Sequence, residues 1–133
     1  MKKRIHCIIQ ARFTSSRLPG KVFLSGPEKS LLDHLIDRLK NSKYINKIIL
    51  ATPNSKINLF IKDFIKNRIE VFQGNEKNVL DRYYKCAKEF QMKTIVRITA
   101  DCPVIDPIIV DKVIERFQNS DYDYATNTIF RTY

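Results

Sequence analysis

The sequence predicts a single α/β domain in which helices cover a mostly parallel, doubly wound sheet. Two observations predict it. Short runs rich in β-branched residues alternate with amphipathic segments of about a dozen residues, the pattern of strand-helix units around a parallel sheet. The 133 residues, 44% of them hydrophobic, can bury one core, and no break in composition divides them.

The first strand is predicted from Arg4 to Gln10. After a long polar loop, Ser30 is placed to cap a helix whose Leu31, Leu32, Leu35, Ile36 and Leu39 fall on one face, with Asp33 in its first turn. The second strand runs from Lys47 to Ala51. Thr52-Pro53-Asn54 breaks the chain, and Ile57, Phe60, Ile61, Phe64 and Ile65 then recur at helical spacing. The third strand is Ile69 to Gln73. A turn at Gly74-Asn75-Glu76-Lys77 leads to Asn78, which caps a helix carrying Val79, Leu80, Tyr83, Tyr84 and Ala87. The fourth strand is Thr94 to Ile98. Asp106-Pro107 opens the next helix in cap-then-proline order, with Val110, Val113, Ile114 and Phe117 inward. A fifth strand, Tyr122 to Thr126, ends the series, and no repeat, low-complexity tract or linker interrupts it.

Composition narrows the partners. Lys and Arg number 24 against 14 acidic residues, and the net +10 suits an anionic partner such as a nucleotide, nucleic acid or membrane. A plainer origin competes: Lys, Ile and Asn are abundant throughout, and many lysines fall on expected solvated helix faces. No aromatic-basic repeat supports nucleic-acid binding. Cys7, Cys86 and Cys102 are odd in number and widely spaced, so they form neither a disulfide framework nor a zinc site, and a reducing cytoplasm fits. Basic Met1-Lys2-Lys3-Arg4 precedes an apolar stretch too short for a signal peptide, and no run approaches the roughly 18 apolar residues that would span a bilayer. A cytoplasmic protein bound to neither nucleic acid nor membrane is the expectation.

Ligands of open parallel sheets bind beyond the carboxyl ends of the strands, where the strand-to-helix loops converge. The loops after strands one, three and four should therefore carry the chemistry, and they hold Arg12, Ser15, Arg17, Lys21, Asn75 and Asp101. The first loop, Gln10-Ala11-Arg12-Phe13-Thr14-Ser15-Ser16-Arg17-Leu18-Pro19-Gly20-Lys21, gathers three cations and three hydroxyl side chains. Arginine presents forked donors that match phosphate oxygens, lysine a mobile point charge, serine and threonine neutral donors, and the backbone around Gly20 further N–H groups. With only three glycines, the chain has neither a G-x-G-x-x-G fingerprint nor a Walker A loop, so phosphate binding would rest on side chains. The same residues also read as an ordinary basic surface loop turning at Pro19-Gly20.

In Arg97-Ile98-Thr99-Ala100-Asp101-Cys102-Pro103-Val104-Ile105-Asp106-Pro107 a carboxylate emerges directly from a buried strand. Magnesium takes one or two carboxylates and leaves its other positions to water and phosphate, so Asp101 beside a basic loop would suffice. Asp101 also reads as a turn cap before Pro103, and Asp106 as a helix cap rather than a ligand. A buried, hydrogen-bonded role suits His6, no partner at helical spacing makes His34 a ligand, and Cys102 reads as packing.

Ile8-Ile9-Gln10-Ala11-Arg12, then Ser15 and Arg17-Leu18-Pro19-Gly20-Lys21, resembles the opening signature of the cytidylyltransferases that activate acidic sugars, the acylneuraminate and CMP-KDO synthetase type. The nearest branch is that of spore coat polysaccharide biosynthesis protein F. The segment around Asp101 resembles the family motif G-D-C-P-L-I-D-P, with Ala100 replacing its usual glycine. Val71-Phe72-Gln73-Gly74-Asn75-Glu76 and Asn78-Val79-Leu80-Asp81-Arg82-Tyr83-Tyr84 resemble the region that lies beside base and sugar. The resemblance implies a Rossmann-like nucleotide-diphospho-sugar transferase fold and CMP transfer from CTP to an acidic sugar of nonulosonic acid type. Pyrophosphate is released, and the product serves surface polysaccharide biosynthesis. It implies Arg12, Arg17, Lys21 and Asp101 as catalytic residues, with Asp101 holding Mg2+. Gln10, Ala11, Ser15, Asn75, Arg82 and Ala100 join Arg12, Arg17 and Lys21 in contacting the nucleotide. Asp81 reads instead as half of a surface pair with Lys85.

The resemblance runs through Asp123-Tyr124-Ala125-Thr126-Asn127-Thr128 to Arg131-Thr132-Tyr133, after which family members continue with further acidic residues and much of a homodimer contact. Residues 1–133 thus read as the nucleotide-binding portion of one domain, truncated at the C-terminus. An exposed sheet edge that favours self-association is expected. A non-catalytic nucleotide-binding module, or a remnant of such an enzyme, is the alternative to an active cytidylyltransferase.

Overall fold

The computed structural model describes residues 4–12, 20–24, 28–56, 60–65 and 68–129. Strands β1 (Ile5–Gln10), β2 (Ile45–Pro53), β3 (Glu70–Gly74) and β4 (Thr94–Thr99) form one sheet in the order β3-β2-β1-β4, parallel throughout. Between them lie helices α1 (Leu31–Leu39), α2 (Ile61–Phe64) and α3 (Val79–Glu89), and α4 (Pro107–Gln118) follows β4.

The period-two alternation of a strand sends successive side chains to opposite faces, and β1 supplies both. Ile5, Cys7 and Ile9 enter a larger core with Leu32, Leu35, Ile36 and Leu39 of α1, Ile61 of α2, and Val110 and Ile114 of α4. Ile8 enters a smaller core, with Ile49 and Ala51 of β2, Phe72 of β3, and Tyr83 and Cys86 of α3. Burial on two faces explains why β1 and the second half of β2 read as nearly unbroken apolar runs. Cys7 and Cys86 are free thiols in these cores, and burial pushes each up to about 12. Strand β4 differs: half-buried and exposed residues alternate along it, and among the described residues it pairs only with β1. Among the described residues it is an edge of the sheet.

The predicted helix caps are present. Ser30 and Asp33 form a reciprocal capping box, the Asn78 side chain accepts from Asp81 N–H, and Asp106 accepts from Ile108 N–H ahead of Pro107. Each satisfies an N–H that the helix leaves unpaired, worth about 1 kcal/mol.

Three expectations need correction. No strand forms over residues 122–126: Tyr122 and Tyr124 are exposed, and a strand exists only by pairing with a neighbour, which this stretch lacks. The second strand begins two residues earlier and ends two later than predicted, because its ladders with β1 and β3 extend past the apolar run. The helical spacing from Ile57 to Ile65 yields α2 only at Ile61–Phe64, with residues 57–59 outside the described set.

Helix α1 is clamped from the far side of the chain by Arg68, whose guanidinium donates to Asp33 and Asp37, one helical turn apart. At Asp37 the hydrogen bond from Lys29 leads, with Arg68 behind it, in drawing the carboxyl below the usual range. At Asp33 burial works the other way, but the hydrogen bonds to Ser30 and the Arg68 charge outweigh it. Carboxyl groups lowered in the folded state add stability above the ordinary aspartate range and lose it as pH falls through their lowered values. Arg68→Ala is expected to cost about 1 to 2 kcal/mol in urea unfolding at pH 7. The deficit relative to the parent should shrink below about pH 4.

Candidate functional site

The sheet order sets where the site can lie. From β1 the chain passes to β2 and β3 on one side and returns to β4 on the other, so the loops after β1 and β4 leave from adjacent strands at the carboxyl end of the sheet, where the strand order reverses. A crevice opens at such a switch point. Gln10 is in register with Ala51 and Thr99; just beyond, Ala11 N–H donates to Ala51 O (3.1 Å) and Ala100 N–H donates to Gln10 O (3.0 Å). Both N–H groups are thus occupied within the sheet, and both alanines are buried. The Ala100 methyl packs in the larger core, so the residue that replaces the expected glycine is accommodated. Any nucleotide contact by Ala11 or Ala100 would have to avoid these N–H groups.

Lys21 reaches the switch point from the first loop. Gly20 adopts the left-handed conformation (φ 69°) that a residue without Cβ takes readily, and it starts a short 3-10 turn over Lys21–Phe23. Val22 and Phe23 are buried, and the Phe23 ring meets Phe60 and Phe64 edge-on at 5.5 and 5.1 Å. With its neighbours anchored, Lys21 points outward and its ammonium lies 3.1 Å from Asp101 Oδ2, across 80 residues of sequence. The side chains are 38% and 50% exposed, so both remain open to a ligand. The Thr99 hydroxyl first, and the Lys21 ammonium second, hold the Asp101 carboxyl below the usual carboxylate range against a smaller opposing effect of burial. The loop that carries Asp101 is fixed by Arg38 of α1, whose Nε donates to Ile105 O, and by the Asp106 cap of α4.

A second set of cations lies toward β3. Arg82, on α3, is almost wholly buried and donates from Nη1 to Asn75 O at 2.6 Å. Its Nε lacks a hydrogen-bond partner and its guanidinium lacks an acidic partner among the described residues. Burial lowers its pKa, with Tyr83 opposing and Arg12 reinforcing, so Arg12 is close enough for the two charges to repel. Arginine stays protonated, and this end of the sheet therefore holds surplus positive charge.

Of the residues predicted for the site, Lys21 and Asp101 meet directly, Gln10 and Ala100 join their strands, and Arg12 approaches Arg82. Ser15 and Arg17 lie outside the described residues. Asn75 is exposed, but its Oδ1 accepts from Lys77 and Asn78 N–H, so that oxygen shapes the turn before α3. Asp81 pairs with Lys85 at 2.9 Å, one turn along the helix, as predicted. Cys102 does not pack in a core: it is exposed, with Sγ 3.5 Å from Thr99 Oγ1. His6 is half-buried, and its Nδ1 has no hydrogen-bond partner among the described residues, contrary to its expected role. Thr99 and Arg38 carry no motif signal of their own, and Gly74 stands in a family-like segment without a role assigned to it. Their parts follow from contacts that only folding creates.

A concavity of about 650 Å3 lies elsewhere, at the amino ends of β2 and β3. There Arg68 is already paired with Asp33 and Asp37, and Lys47 with Glu70.

The fold is a parallel α/β sheet with a cation-rich crevice at its switch point, and comparison with known proteins gives the class. The sequence profile described as Cytidylyltransferase matches residues 6–132. The chain belongs to that family of nucleotidyltransferases. It is 37% identical over 127 residues to the spore coat polysaccharide biosynthesis protein SpsF of Bacillus subtilis (strain 168), covering 90% of this chain and 53% of the relative. It is 31% identical over 114 residues to the 3-deoxy-manno-octulosonate cytidylyltransferase of Solibacter usitatus (strain Ellin6076), covering 86% and 45%. The solved cytidylyltransferase of Leptospira borgpetersenii superposes with a TM-score of 0.83 at 33% identity, covering 90% of this chain and 50% of that one. The chain thus spans about half the length of the curated relatives it matches. Among the described residues no helix is long and apolar enough to cross a membrane.

The contact between Lys21 and Asp101 can be tested without a ligand. In a carboxyl NMR titration, Thr99→Val and Lys21→Ala should each move the Asp101 midpoint up toward the ordinary aspartate value of about 3.9. An unchanged midpoint in both variants would refute the contact.

Proposed function

We propose that the protein acts in transfer of CMP from CTP to an acidic sugar of nonulosonic acid type, with release of pyrophosphate. The observation that carries this reading is the meeting of Lys21 and Asp101 at the switch point of the sheet, at whose carboxyl end Arg12 and Arg82 also lie without an acidic partner among the described residues. An acid-poor cluster of cations suits a triphosphate, and the one carboxylate beside it suits the cation that accompanies a triphosphate. The printed name of one relative specifies a sugar acid and that of another polysaccharide synthesis, which supports the acceptor class and the surface-polysaccharide role.

Asp101 fits magnesium. Its carboxyl is held in the ionised form, is half-exposed, and needs no second protein ligand where phosphate oxygens and water complete the shell. Bound there, Mg2+ would neutralise phosphate charge as a Lewis acid. An oxygen of the acceptor attacks the α-phosphorus, the new P–O bond forms as the bond to the β-phosphate bridge breaks, and the acceptor proton passes to solvent. Negative charge gathers on the phosphates during this displacement. Arg12 and Arg17 meet it with forked donors, and Lys21 turns from Asp101 to a phosphate oxygen. Arg82, pre-positioned and desolvated, binds the nucleotide toward β3. No covalent intermediate on the protein is required.

Isothermal titration with CTP and Mg2+, together with a pyrophosphate-release assay over a panel of nonulosonic acids, tests the reading. Arg17→Ala should weaken CTP binding by about tenfold or more, the loss of a charge-assisted contact. Asp101→Asn should chiefly abolish the dependence on Mg2+. Parent-like binding in both variants would refute the site. Retained CTP binding with no pyrophosphate release in the presence of any acceptor would identify a nucleotide-binding module instead.

A further inference from the structure

We propose that Gly74 is a positioning residue for Arg82: its missing side chain is the space through which Arg82 is aimed at the nucleotide. The inference rests on the reading that Arg82 binds nucleotide. A Cβ built at Gly74 would stand 2.7 Å from Phe72 Cε1, 2.9 Å from Arg82 Cγ and 3.3 Å from Arg82 Cβ. The first two are shorter than real Cβ contacts, so something must move. The backbone of Gly74 resists, because the residue ends the β2–β3 ladder in register with Pro53 and its carbonyl accepts from Asn54 N–H at 2.7 Å. Phe72 resists as well, since its ring is buried in the smaller core. The flexible stem of Arg82 is the part free to yield.

What that movement would break is specific. With the stem laid against Gly74, the Arg82 guanidinium donates to Asn75 O. The side chain of Asn75 accepts from Lys77 and Asn78 N–H at 3.0 and 2.9 Å, which fixes the turn and therefore the direction of that carbonyl. Nε is buried and has no hydrogen-bond partner among the described residues, and the nearby charge is the like charge of Arg12, so the cation is left without a counter-charge there. The requirement at Gly74 is one of space, since among the described glycines only Gly20 has a positive φ. Gly74 and Asn75 thus act together, one by admitting the stem and the other by orienting the head. An arginine so held binds an anion without first losing rotamer freedom.

A double-mutant cycle on the intact protein, read by isothermal titration with CTP and Mg2+, tests the proposal. Gly74→Ala and Arg82→Ala should each weaken CTP binding by about tenfold, and the double variant should be no weaker than either single one. The thermal cost of Gly74→Ala should also diminish in the Arg82→Ala background, where the Cγ it strikes is gone. Parent-like CTP binding by Gly74→Ala, with Arg82→Ala weakened, would overturn the proposal and leave the nucleotide role of Arg82 intact. Additive losses would overturn it too, as a general loosening of the strand would produce them. Parent-like binding by Arg82→Ala would remove the underlying reading and the proposal together. If Gly74→Ala does not fold, Asn75→Ala supplies the comparison, since it releases the turn without adding a clash: non-additivity with Arg82→Ala supports the device, and additivity refutes it.

Discussion

The structure of the site depends on β1 being hydrogen-bonded along both edges. Its ladders to β2 and β4 continue one residue past the strand end, through Ala11 and Ala100, so both departing loops start from a rigid frame. Because the chain leaves β1 toward β2 and returns beside it as β4, the two loops start from adjacent strands, and the helices α1 and α4 that follow them pack in the same core. Lys21 and Asp101 are neighbours for this reason alone. Neither is near the other in sequence, and no local signal pairs them.

The electrostatics of the site follow from the same frame. Lys21 and Asp101 neutralise one another at an exposed position, where a pair contributes little to stability and exchanges readily with a ligand. Arg82 is in the opposite condition, buried and beside another arginine, with no carboxylate among the described residues to balance it. Burying an unpaired cation is costly, and the cost is borne only where surrounding structure enforces the position. Here the enforcing structure is the gap at Gly74, the carbonyl of Asn75 and the core around Tyr83. An exposed pair that opens and a buried arginine that does not move complement each other in a site that would admit, then hold, a polyanion.

Strand β4 is built differently from the centre of the sheet. Central strands of a parallel sheet are covered on both faces, as β1 is, whereas β4 alternates half-buried and exposed residues and pairs on one side among the described residues. Its outer face carries Arg97, which rests over the Tyr83 ring at 5.2 Å instead of meeting a carboxylate. A long side chain lying on an aromatic ring covers apolar surface that would otherwise meet water.

Much of this was legible in the sequence, because the relevant signals are local. Helix caps read as Ser30, Asn78 and Asp106 because a polar side chain needs only its own first turn to act, and the order of strands and helices followed from hydrophobic period. Tyr122 to Thr126 misled for the complementary reason. Its residues have strand character, but strand formation needs a partner, and only the tertiary structure decides whether one is at hand. Cys102 reads as packing because its exposure depends on how the loop leaves β4, and the part that Asn75 Oδ1 plays in the turn before α3 depends on where Lys77 and Asn78 N–H fall. By itself, then, the sequence determined the elements, their order, and the family motifs at Arg12 to Lys21 and around Asp101. The fold alone decided which of those residues meet, that Thr99 and Lys21 jointly tune Asp101, and that a glycine makes room for Arg82. Those facts depend on distances between segments far apart along the chain, and such distances exist only once the sheet is closed around β1.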